Sequence, residues 1–302
     1  MRIGLIGCGR WGKLVLRDLI ALGCTVEVVA RSAESIGRAR EGGASSIVAS
    51  ISALGDVAGV IVATPTSSHA EATADALSLG VPVFVEKPLT DDPVTATALA
   101  EFAPHRLFVM DKWRYHPGVE EIGAIARSGE FGALRALHTR RLGWGQGHDD
   151  VDSIWVLLPH DLSIMLEIVG SVPDPVGASG YLGEGQNAAL TGLLGPQPAC
   201  VVHVSSLSPV RERQILATFD EAVVWLDDPY TSHLRVKYMD GGEPESRKIS
   251  EEMPLLAELG AFLDFLDGGP PPRSSAGDAA MIVNRIAELR SMAGLHPDRA
   301  PV

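Results

Sequence analysis

Short runs of aliphatic and β-branched residues recur through the first hundred positions, at 2–6, 26–30, 59–63, 81–85 and 106–110. Between them lie longer stretches in which apolar residues return every three to four positions, at 12–22, 35–41, 68–79 and 93–101. Near-continuous apolar strands alternating with amphipathic helices form a parallel sheet covered on both faces. The pattern predicts an α/β, doubly wound Rossmann domain over residues 1–112.

After Lys112 the rhythm changes. "VEEIGAIARSGEFG" and "PHDLSIMLEIVG" read as helices, and residues 188–238 carry strand-like runs such as "PACVVHVSSL", "RQILATFDEAVVWLDD" and "HLRVKY". Their imperfect alternation predicts an antiparallel sheet with one exposed face. "DGGPPPRSSAGD" reads as a loop, with Ser275 or Asp278 able to cap the helix "AAMIVNRIAELRSMAG". Residues 113–302 are thus expected to form a second, α+β domain with a large open, mainly antiparallel sheet.

Composition agrees with two globular domains, since 302 residues exceed one ordinary core, and 46% hydrophobic with 21% charged residues is the usual soluble balance. A net charge of −13 and the lack of any dense basic run argue against nucleic acid and anionic membrane as partners. Cys8, Cys24 and Cys200 form no CxxC pair and are odd in number, which predicts a reducing, cytoplasmic setting rather than a disulfide framework. Neither a signal-peptide pattern at "MRIGLIGCG" nor an apolar run of membrane-spanning length is present in the sequence.

The candidate chemistry begins at the N-terminus. Gly7, Gly9 and Gly12 stand in G-x-G-x-x-G spacing after a strand and at the opening of a helix, the context a dinucleotide pyrophosphate requires. Arg10 and Trp11 lie inside this turn and are counted among the cofactor-binding residues. The second strand ends in Arg31 and Ser32, where an NAD-specific site would carry an acid. A guanidinium and a hydroxyl suit a 2′-phosphate, so NADP is favoured over NAD. The rival reading has Arg31 stacking on adenine without discriminating.

The stretch "VPVFVEKPLTDDP" ends an apolar strand in a glutamate, a lysine and a proline. A parallel strand delivers its carboxyl end to the ligand crevice, and Pro88 turns the chain out of the strand. With the glycine turn, "VATPTSSH", "VEKP", "DKWRYHP" and "PHDLSIMLEIVG" in this order, the chain resembles the glucose-fructose oxidoreductase, inositol dehydrogenase and rhizopine-catabolism (Gfo/Idh/MocA) family. The likeness spans nearly the whole length, and "GRWGKLVLRDL" looks most like members acting on nucleotide-linked sugars.

The resemblance implies a catalytic Lys87 that polarises the substrate oxygen, with Glu86 beside it, and His160 as proton relay. An aspartate commonly stands one helical turn before that histidine in the family; here the position is Val156, leaving Asp161 and Asp152 as candidate substitutes. Thr64, Pro65 and His69 lie where the family approaches the nicotinamide ribose. Trp113 and Arg114 are expected to flank cofactor or substrate, or else to serve interface packing. Residues 140–150 read as part of a substrate lid, or as a plain surface loop. Neither a zinc-ligand cluster nor a G-x-S-x-G elbow is visible in the sequence.

The expected activity is an NADP(H)-dependent oxidoreductase acting on CH–OH groups of a sugar or nucleotide-linked sugar. Residues 113–302 are then expected to bind substrate and to join a homodimer or homotetramer through the sheet. A nucleotide-binding regulator or inactive paralogue, and an imine or enone reductase, are the alternatives.

Overall fold

The computed structural model describes residues 1–145, 149–228 and 230–295. The chain opens with β1 (Arg2–Ile6), α1 (Gly12–Ala21), β2 (Thr25–Val29), α2 (Ala33–Glu41), β3 (Ser46–Val48) and β4 (Gly59–Val62). It continues through α3 (His69–Leu77), β5 (Val83–Glu86), α4 (Pro93–Phe102) and β6 (Leu107–Met110). These six strands form one sheet in the order β3-β2-β1-β4-β5-β6, every pair parallel. That order is the doubly wound Rossmann arrangement, in which ligands bind where it reverses, between β1 and β4. All five expected strands form within a residue or two of their predicted places. β3 is an addition: three residues, none fully buried, give too little apolar signal to read.

Beyond Lys112 come α5 (Pro117–Ser128), β7 (Leu134–Trp144), α6 (Ser153–Val169) and β8 (Pro175–Leu182). Then follow β9 (Ala188–Leu194), β10 (Ala199–Ser205), β11 (Leu207–Phe219), β12 (Ala222–Leu226), β13 (His233–Tyr238) and β14 (Glu245–Lys248). The second sheet runs β14-β13-β12-β11-β7-β10-β9-β8, antiparallel except for the β7–β10 pair. α6 starts at Ser153, six residues before the expected Pro159, because Asp152 caps it by accepting from the Ile154 amide at 3.0 Å. Pro159 lies inside the helix.

The chain ends in α7 (Pro254–Leu266) and α8 (Ala276–Met292). α8 opens with a reciprocal cap in which the Ser275 amide donates to Asp278 and the Asp278 amide to Ser275 Oγ, both at 3.1 Å.

Two units result, one of Met1–Lys112 with Met253–Val283, the other of Trp113–Glu252 with the chain from Asn284 onward. This division departs from a continuous segment 113–302 in one respect, and the packing explains it. α7 lies on the first sheet, where Phe262 stacks on Phe84 at 4.9 Å and Phe265 meets Phe108 edge-on at the same distance. A Cβ on Gly59 would meet Leu266 at 2.8 Å, so α7 seats directly on β4. Among the described residues no helix is long and apolar enough to cross a membrane.

Candidate functional site

In the first unit the glycine turn has the geometry its spacing implies. Gly7 takes φ 90°, and a Cβ there would lie 2.7 Å from the Ala63 carbonyl oxygen, so only glycine fits between β1 and β4. A Cβ on Gly12 would collide with the Gly7 carbonyl, whereas around Gly9 there is open space for a ligand to approach the backbone. A cavity of about 250 Å³ adjoins this turn and brings together Gly7, Arg31, Ser32 and Thr64, with Glu71 and Asp75 on its wall. The cradle therefore fits a dinucleotide phosphate. Arg31 is exposed and donates through Nε to the Ala49 carbonyl at 3.2 Å; Ser32 caps α2 by accepting from the Ser35 amide at 3.1 Å.

Arg10 is exposed in the turn, while Trp11 lies half-buried with the Lys112 ammonium 4.6 Å from its ring centre. Pro65 is exposed in the loop after β4. His69 is 2% exposed, and its two ring nitrogens face backbone carbonyls, Nδ1 that of Pro88 at 2.7 Å and Nε2 that of Thr64 at 2.8 Å. The ring thus joins the loop after β4 to the turn after β5.

Lys87 follows directly on β5, half-buried, with a cis peptide bond to Pro88. Its amide donates to Glu86 Oε2 at 2.8 Å. Burial pushes the Glu86 carboxyl up to about 7, with Asp111 adding to the rise and Lys87, Lys112 and the Lys87 amide opposing it. Glu258 of α7 shares this environment. It is fully buried, its carboxyl oxygens have no hydrogen-bond partner among the described residues, and burial, Glu86 and Asp111 together hold its pKa well above the usual range. Asp111, Lys112 and Glu258 were not singled out in the sequence. The available signal for Glu258 was one acid on the apolar face of "PLLAELGAFLDFL".

In the second unit, His160 lies half-buried on α6 with its ring centre 6.4 Å from that of Trp113, edge to face. Trp113 stacks on His116 at 5.1 Å and carries the Arg141 guanidinium over its ring at 4.6 Å. The two candidate acids, Asp161 and Asp152, each pair with an arginine. Asp161 accepts from Arg141 Nε at 2.7 Å, both side chains buried, and Asp152 pairs with Arg290 at 2.7 Å besides capping α6. Val156 is 7% exposed and adds no acid one turn before the histidine. Arg114 pairs with Glu167 of α6 at 3.2 Å, both side chains nearly buried. Of the expected lid, 146–148 lie outside the described residues.

A parallel sheet in this strand order, with its glycine turn and adjoining cavity, defines a nicotinamide-dinucleotide-binding Rossmann domain. Residues 1–108 match the model of the Gfo/Idh/MocA family, described as an oxidoreductase family with an NAD-binding Rossmann fold. The match is confined to this first unit, where the motifs that carry the resemblance also begin.

Among curated relatives, the chain is 32% identical over 185 residues to UDP-N-acetylglucosamine 3-dehydrogenase of Acidithiobacillus ferrooxidans, covering 60% of this chain and 58% of that one. It is 32% identical over 149 residues to inositol 2-dehydrogenase 1 of Paenarthrobacter aurescens, covering 46% and 44%. The matched stretches therefore span only about half of those relatives' own lengths. The fold likeness is broader: the solved Acidithiobacillus structure gives a TM-score of 0.82 at 24% identity over 98% of both chains. A levoglucosan dehydrogenase complexed with NADH and levoglucosan gives 0.86 at 15% identity over 97% of both.

Proposed function

We propose that the chain is an NADP(H)-dependent oxidoreductase acting on a CH–OH or carbonyl group of a sugar or nucleotide-linked sugar. The observation that carries the reading is that the glycine-turn cavity and Lys87 stand at one carboxyl edge of a single parallel sheet. A nicotinamide dinucleotide bound there would supply or accept the hydride at C4. Lys87 donates to the substrate oxygen and stabilises its alkoxide character, while the His160 imidazole takes the hydroxyl proton or returns it.

The named relatives support the carbohydrate class, being a UDP-N-acetylglucosamine dehydrogenase and an inositol dehydrogenase. Arg31, Ser32 and the N-terminus of α2 support a 2′-phosphate, although a solved relative holds NADH and Glu71 and Asp75 share the cavity wall. A homodimer or homotetramer through the second sheet is supported by Tyr181 and Leu193, exposed on one face of adjacent strands. Three buried free cysteines support a cytoplasmic setting.

The test is loss of NADPH absorbance with keto-sugars and nucleotide-linked keto-sugars. Turnover that drops by about 10²–10³-fold in Lys87→Met supports the reading. Arg31→Ala should weaken NADPH more than NADH, by ~1.5–3 kcal/mol. Equal losses for both cofactors would reject the 2′-phosphate assignment. Val156, with Asp161 committed to Arg141, favours a second reading: a nucleotide-binding protein without dehydrogenase turnover. Tight NADPH binding with no turnover on any carbohydrate is its signature.

A further inference from the structure

Arg213 and Arg141 are direct cross-strand partners on β11 and β7. On β7 the alternating residues Leu137, Thr139 and Arg141 are buried, and on β11 Ile215 and Ala217 share that covered face with Arg213. The two arginines are therefore neighbours on one sheet face, and Arg141 reaches α6 through the Asp161 carboxylate. That carboxylate is taken by Arg141 at 2.7 Å.

Arg213 is held by main chain instead. Its Nη1 donates to the Leu142 carbonyl and, at 2.7 Å, to the Glu212 carbonyl, and among the described residues its Nε and Nη2 hydrogens have no acceptor and can meet a ligand. Burial first, then the neighbouring charges of Arg141 and Arg211, depress the Arg213 pKa to about 10, with Asp161 and Tyr230 opposing. Half-buried positive charge that exceeds its counter-charge is costly to fold and is relieved by an incoming anion. The pair is joined to the candidate proton relay, because Arg141 and His160 both pack on the Trp113 indole.

We propose that Arg213, seconded by Arg141, binds an oxyanion carried by the substrate, so that the second unit selects charged carbohydrates over neutral ones. The oxyanion is either the diphosphate of a nucleotide-linked sugar or the carboxylate of a sugar acid, both matched by a planar guanidinium fork. This deepens the dehydrogenase reading and rests on it for the carbohydrate nature of the substrate.

Calorimetric titration with the dinucleotide site saturated by NADPH tests it, using inorganic pyrophosphate, UDP and glucuronate as probes. At least one probe should bind the wild type and bind Arg213→Met about tenfold or more weakly, with Arg213→Lys intermediate. Arg135→Met, which removes an exposed arginine paired with Asp220, should bind like wild type. Binding of pyrophosphate and UDP alone identifies the diphosphate source, and binding of glucuronate alone the carboxylate. If none of the three binds, or if Arg213→Met binds as well as wild type with an unchanged melting temperature, the assignment falls. Should Arg213→Met fail to fold, Arg213→Lys carries the comparison, and equal binding there with equal salt dependence also overturns it. Absence of turnover on every carbohydrate would count against the dehydrogenase reading alone, since the binding measurement needs no reaction.

Discussion

The His69 imidazole lies 2.7 Å from the Pro88 carbonyl through Nδ1, while its other nitrogen faces the Thr64 carbonyl. One buried ring thereby fixes the turn that presents Lys87 against the loop that follows β4. His69→Leu removes both contacts, including the ring N–H that one of the two carbonyls accepts, at an expected cost of about 1–3 kcal/mol. Urea unfolding reads the loss directly, and dinucleotide affinity should fall with it. An unchanged midpoint together with unchanged affinity would mean that the clamp does nothing.

Glu86 gives a pH dependence with a definite sign. Its carboxyl titrates at about 7 in the folded chain, against 4.5 ordinarily, so between those values the folded state holds the extra proton. Stability from this group is full below the lower value, declines as pH rises through the window and levels off above it. Glu86→Gln should flatten that part of the profile by one proton's worth of slope. Parallel profiles for the two proteins between pH 5 and 7 would show that the burial of Glu86 does not govern its titration.

Glu258 adds a second cost of the same sign. Its buried carboxyl has no hydrogen-bond partner among the described residues. Glu258→Met fills a similar volume without a polar group and is expected to stabilise by about 1–3 kcal/mol at pH 5. The gain should be larger at pH 8, where the unfolded chain ionises the glutamate and the folded chain resists doing so. A destabilised variant at both pH values would reveal a partner for that carboxyl.

The Arg141–Asp161 pair leads to the opposite outcome. Asp161→Ala strands the charge of Arg141, whose side chain is only 5% exposed, and should cost about 3–5 kcal/mol. Replacing both residues with apolar ones of similar size should recover much of it, as a double-mutant cycle on chemical denaturation would read. Equal losses in the single and double variants would contradict the coupling.

Much of the first unit was legible because its strands are buried on both faces and its helices on one, so period and burial coincide. The same rule hid β7, where arginines alternate through "LRALHTRRLGW" and one of them, Arg141, points to the covered face. α6 was foreshortened because Pro159 looks like a helix start, while the true start lies at an aspartate whose capping role depends on the fold around it. Gly7, Gly12 and Lys87 could be placed from local spacing. Arg213 could not, since its meaning comes from a strand pairing with Arg141, 72 positions earlier.

The return of Met253–Val283 to the first unit bears on the order in which the protein comes into being. A ribosome that has released the first 112 residues has not yet made the helix whose Phe262 covers Phe84. The cofactor-binding half must therefore wait, incompletely closed, until nearly the whole chain has emerged.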